Sequence, residues 1–170
     1  MSQGTYEIVD GRPSVKFERE LAHPPGKVWA AVTEPEQLGQ WFPTSVEVDL
    51  RVGGPMSFGF PDGGMEDMTG EVTELEPGRV FAFLWGDELL RFEIEPEGDG
   101  CRLRLTHFIT NEDEAARNAA GWHVCLDRLD ELVSAGSAEA PGTEPTDEWR
   151  EHYDRYVEAG MPAGAAVPGG

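Results

Sequence analysis

Hydrophobic positions change period twice along the chain, and the changes separate a helix pair, a run of strands and a long helix. In "VKFEREL" the residues Val15, Phe17, Arg19 and Leu21 alternate at period two, which predicts a half-buried strand. Pro24 and Pro25 stop it and start a helix over about residues 25–32, because proline fixes φ and is tolerated in a first helical turn. Val28, Trp29 and Val32 share the inner face of that helix. In "TEPE", Thr33 as N-cap with Glu36 three positions on reads as a capping box that starts a second helix. This helix ends near Gly39 and delivers Trp41 and Phe42.

From 44 to 109 the period is two. The inward residues are Val46, Val48 and Leu50; Met56, Phe58 and Phe60; Met68, Gly70 and Val72; Phe81, Phe83 and Trp85; Leu90, Phe92 and Ile94; and Leu103, Leu105, His107 and Ile109. The turn signals "VGGP", "PDGG", "EPG", "WGDE" and "EGDG" separate them, so the strands should pair as an antiparallel meander with one apolar face. At Asn111 the period lengthens: Ala115, Ala119, Trp122, Leu126, Leu129 and Val133 form one stripe, acids lead it, and Gly136 supplies its end.

These boundaries imply an N-terminal extension (1–12), one domain (13–136), a flexible linker (137–145), a short amphipathic helix (146–160) and a tail (161–170). Trp149, Tyr153 and Tyr156 mark the last helix, which needs an apolar surface, its own domain or a partner's. An apolar sheet face must be covered, and the helix from 111 is the only one long enough. The expected fold is α+β: a curved antiparallel sheet of about six or seven strands wrapped around a long C-terminal helix, with two short helices after the first strand. Curvature leaves space between the layers, and the aromatics around Trp29 and Trp41 would wall its wider end.

Composition narrows the setting. A chain of 170 residues, 39% hydrophobic, buries an adequate core without disulfides or metal. Cys101 and Cys125 form no CxxC or Cys/His cluster and read as reduced, buried thiols. No signal peptide and no apolar run of about 18 residues is present, so no membrane association and a cytoplasmic location are expected. A net charge of −20 argues against direct nucleic-acid binding and for solubility or salt tolerance.

Candidate ligand-binding residues are Trp41, Phe58, Phe60, Met68, Phe83, Trp85, Phe92, Trp122 and Leu126, the alternative for each being core packing. His107 shares the inner face with Leu103 and Leu105, where an imidazole needs a partner. It is either a satisfied structural histidine or a group orienting a ligand or moving a proton, and it is the only catalytic candidate. His123, one position off the Trp122 stripe, flanks the cavity mouth or faces solvent; with His107 it lacks a recognisable third ligand, so neither metal nor cofactor is expected. Glu66 and Asp67 lie near a strand start, where either one is a candidate acid or base. Glu71, Glu93 and Glu95 should face water, and Arg91, Arg102 and Arg104 read as a solvated outer face paired with acids. GxSxG, GxxxxGK[ST], GxGxxG and HExxH are all missing, which weighs against an enzyme.

The stretches "PPGKVWAAVTEPEQLGQWF", "GRVFAFLW", "LRLTHF" and "GWHVCLDRLDELV" together resemble the family related to the activator of the heat-shock chaperone ATPase, within the helix-grip superfamily of START and SRPBCC domains. The resemblance covers about residues 13–134. It implies the helix-grip fold and a role in binding a small apolar molecule in an interior cavity, as carrier, sensor or stress protein. A cyclase- or hydratase-like enzyme using the same cavity and a chaperone or regulator interaction protein are the alternatives, with a homodimer or a protein partner left open.

Overall fold

The computed structural model describes residues 4–42, 44–59, 68–138 and 146–164. Phe60, Glu66, Asp67, the "PDGG" turn, most of the 137–145 linker and the end of the tail lie outside the described residues.

The chain opens with a hairpin of β1 (Thr5–Val9) and β2 (Arg12–Leu21). Asp10 and Gly11, at φ 51° and 77°, form its two-residue turn, the left-handed pair that Asp-Gly adopts readily. Most of β1 is exposed and does not alternate cleanly, which is why residues 1–12 read as an extension. Two short helices follow, α1 (Pro25–Thr33) and α2 (Pro35–Leu38). The expected capping box does not form: Thr33 is the last residue of α1, where its hydroxyl donates to the Trp29 carbonyl at 2.8 Å, and Glu34 begins α2 without a side-chain cap. Pro35 at the first helical position sets the start instead.

The meander comprises β3 (Ser45–Val48), β4 (Pro55–Gly59), β5 (Met68–Glu76), β6 (Val80–Trp85), β7 (Glu88–Glu97) and β8 (Gly100–Phe108). Every described pairing is antiparallel, in the order β1-β2-β8-β7-β6-β5-β4-β3, so that eight strands are seen among the described residues. Leu50 falls beyond β3 and is 42% exposed, unlike the inward Val46. At Gly70 a side chain is excluded, since a Cβ would lie 1.9 Å from the Leu84 carbonyl oxygen of the neighbouring strand.

A 3-10 turn (Glu112–Glu114), capped by Asn111 accepting from the Asp113 amide, leads into α3 (Ala115–Ala135), which ends at Gly136 with φ 86°. One face of α3, with Ala119, Trp122, Leu126, Leu129 and Val133, covers the sheet's inner face: Val15, Phe17, Phe83, Leu90, Phe92, Leu103 and Leu105 belong to the same buried core. The result is the helix-grip arrangement. Finally, α4 (Asp147–Glu158) starts at Thr146, whose hydroxyl accepts from the Trp149 amide, and packs on its own domain. Arg128 of α3 meets Glu148 at 3.0 Å, and the Tyr156 hydroxyl accepts from the Gly4 amide at 2.8 Å. No helix among the described residues is long and apolar enough to cross a membrane.

Candidate functional site

The α1–α2 corner turns its aromatics inward. Trp41 donates its indole N–H to the Ala31 carbonyl at 2.8 Å, which locks the corner and fixes the position of Phe42. Trp29, placed on the inner face by spacing, is only half-buried and meets Phe81 edge-on. Phe42 then becomes the hub of an aromatic layer, with ring centroids 5.4–6.4 Å from those of Trp41, Phe58, Phe83, Trp85 and Trp122. Trp41 also meets Phe92 edge-on at 5.9 Å. Of the candidate residues, Trp41, Phe58, Phe83, Trp85, Phe92 and Trp122 are therefore brought together; Met68 is half-buried at the start of β5, and Leu126 is buried one turn beyond Trp122. Sequence alternation could not single out Phe42, which belongs to the irregular end of a helix.

The polar part of this layer is a relay. Trp122 donates its indole N–H to His107 Nδ1 at 2.9 Å, so the ring proton of His107 sits on Nε2, which donates to Glu88 Oε1 at 2.7 Å. Glu88 Oε2 accepts from the Thr110 amide and hydroxyl at 2.9 and 3.2 Å. Burial raises the Glu88 pKa, but the hydrogen bonds from His107 and Thr110 and the attraction of the imidazole prevail and hold it below the ordinary carboxylate value. Both nitrogens of His107 are thus engaged within the protein. Glu88, which opens β7, and Thr110, two residues beyond β8, gave no signal by period; only the cross-strand register that sets Leu90 opposite His107 brings them together.

Two buried polar atoms stand out. Trp85 Nε1 and Thr44 Oγ1 are buried and without a hydrogen-bond partner among the described residues. Trp85 itself lies beside Phe42, Phe58, His107 and Trp122.

A second polar group sits on the far side of α3, beneath α4. His123 is buried rather than solvated, because α4 covers it: its ring stacks on His152 with centroids 3.7 Å apart, and its Nδ1 lies 2.9 Å from the Tyr156 hydroxyl. Burial, followed by the adjacent His152, lowers the His123 pKa, and burial lowers that of His152. Arg19, only 7% exposed, reaches Asp127 Oδ1 at 3.0 Å through Nη1, while its Nε and Nη2 have no partner among the described residues. His107 is bound to Trp122 and Glu88 instead, so the two histidines considered together in sequence serve separate groups.

Elsewhere the outer face of the sheet is a lattice of ion pairs. Arg91 meets Glu74 and Glu93, Arg102 meets Glu20 and Glu97, and Arg104 meets Glu18 and Glu95. Cys101 and Cys125 are free and buried, and burial pushes both thiols up, away from reactivity.

Comparison with solved structures gives the same fold. CalU16 from Micromonospora echinospora superposes with a TM-score of 0.69 at 21% identity, covering 93% of this chain and 96% of that one. EF2215 from Enterococcus faecalis, a conserved protein of unknown function, gives 0.72 at 23% identity over 92% and 89%. DynU16, from the dynemicin biosynthetic locus, gives 0.65 at 23% identity over 73% of this chain and 48% of that one. No curated protein matches. The family model described as "Activator of Hsp90 ATPase homolog 1-like protein" matches residues 22–134, most of the helix-grip domain, and the chain belongs to that family.

Proposed function

We propose that the chain binds one small, largely apolar molecule carrying a hydrogen-bond acceptor, in the aromatic layer between the α1–α2 corner, β6 and α3. One observation carries the reading: the indole N–H of Trp85 is buried among aromatic rings with no acceptor among the described residues. A buried donor left unpaired costs roughly 1–3 kcal/mol, so a carbonyl or hydroxyl arriving with an apolar body would gain both ring contact and that missing bond. A role as carrier or sensor suits this chemistry better than catalysis, because His107 spends both ring nitrogens on Trp122 and Glu88.

The test is native mass spectrometry of protein purified from its own host, against a denatured sample, followed by thermal-shift screening of apolar compounds with and without a carbonyl. The expected ligand raises the melting temperature, and Trp85→Phe weakens it about tenfold relative to its acceptor-free analogue. An empty protein that no compound stabilises would end the proposal.

A further inference from the structure

His123 and Asp127 are four residues apart on α3 and so share one helical face, the spacing at which two side chains chelate one ion. His152 arrives from α4, and one donor atom from each of the three lies within 4.8 Å of the others. We propose that His123, Asp127 and His152 bind one divalent transition-metal ion of the zinc type, with the free edge of Arg19 receiving a small carboxylate anion held on the same ion.

The two ligands on α3 are already prepared. The Tyr156 hydroxyl engages His123 Nδ1, which leaves Nε2 as the ligating nitrogen and orients the ring as outer partners of metal-bound histidines do. Arg19 holds Oδ1 of Asp127 and leaves the other carboxylate oxygen without a described hydrogen bond. Two imidazoles and a carboxylate suit a borderline ion such as zinc rather than calcium or magnesium, which prefer oxygen. Three donors leave a fourth position open.

Arg19 is an independent pointer to a ligand. Its Nε and Nη2, the two nitrogens that grip a carboxylate side-on, are buried and unpartnered among the described residues. A lone cation beside this guanidinium would be repelled. A cation that brings an anion satisfies the open coordination position and the arginine edge together. Other charges facing the histidines are Arg155, Glu148 and Glu151, so the acids of α4 offset part of the arginine charge.

One movement is required. Nitrogen lone pairs lie in the ring plane, so rings stacked at 22° do not aim at one point. Donors around a tetrahedral ion sit about 3.3 Å apart at zinc distances. His152, half-buried on α4, must therefore rotate out of the stack, and the ion would then tie α4 to α3.

The experiment uses the untagged full chain, stripped with EDTA and titrated with Co2+, whose visible bands report tetrahedral ligation. The expected result is one equivalent bound, displaced by Zn2+, with His152→Ala and Asp127→Asn each losing at least tenfold in affinity while keeping the wild-type circular dichroism. Added succinate should shift the bands of the wild type. Absent bands, or a His152→Ala protein that binds Co2+ as tightly as wild type, would overturn the metal site; bands unmoved by succinate would overturn the part assigned to Arg19.

Discussion

His107 can accept from Trp122 only if its Nδ1 carries no proton, and it can then donate to Glu88 only through Nε2, so each bond of the relay fixes the other. Removing Glu88 strands a buried N–H. Glu88→Ala should therefore cost about 2 kcal/mol, seen as a melting temperature roughly 4–8 °C lower, whereas Thr110→Val, which leaves the backbone donor in place, should cost less than half as much. The carboxylate also predicts an acid dependence. Its folded pKa lies below its ordinary value of 4.5, so the unfolded chain takes up the proton first as pH drops. The stabilisation is complete above about 4.5 and disappears as pH falls through the folded value. Stability curves of wild type and Glu88→Ala should converge there; a constant gap between them down to strong acid would show that the charge of Glu88 contributes nothing.

Among the elements, α4 and β1 depend on each other through Tyr156, whose hydroxyl touches both the Gly4 amide and His123 Nδ1 while its ring meets Phe17 edge-on. Tyr156→Phe keeps the ring and deletes both polar contacts, at a cost of about 1–2 kcal/mol. Amide exchange of β1 and α4 should accelerate together, with α3 and β8 unchanged; acceleration in α4 alone would show that the two ends of the chain are independent. The same contrast explains what the sequence made legible. Central strands and α3 bury one face each, so their apolar residues keep a strict period, and the aromatic candidates Phe83, Phe92 and Trp122 could be read from it. By contrast β1 is an edge strand with little burial, and its Asp-Gly turn was its only signal. Arg19 obeyed the inward alternation, yet its partner lies 108 residues away on α3. His123 could be read only as flanking the cavity mouth or facing solvent, because the helix that buries it follows a separate linker. Thr33 was misread because Pro35 provides a competing start for α2.

At the scale of the whole molecule the dominant quantity is charge: 33 acidic residues face 13 basic ones, for a net −20. Arg91, Arg102 and Arg104 already meet two or more glutamates each, and the surplus of acids over bases is uncompensated and repels itself across the surface. Salt acts on both kinds of interaction, with opposite sign. Screening weakens exposed ion pairs, worth about 0–1 kcal/mol each, but their partners are in contact, well inside any Debye length at moderate salt. Repulsion among dispersed acids acts over longer distances, and the Debye length falls from about 30 Å at 0.01 M to about 8 Å at 0.15 M. That interval removes mainly the long-range term, so compact packing of a highly negative chain should become more favourable. The melting temperature at pH 7 should therefore rise by about 5 °C between 10 and 150 mM NaCl, a range too dilute for salts to act chiefly through apolar burial. A flat or falling melting temperature over the same range would mean that the glutamate–arginine lattice on the outer face, rather than the surplus of acid, governs how this fold responds to its ionic surroundings.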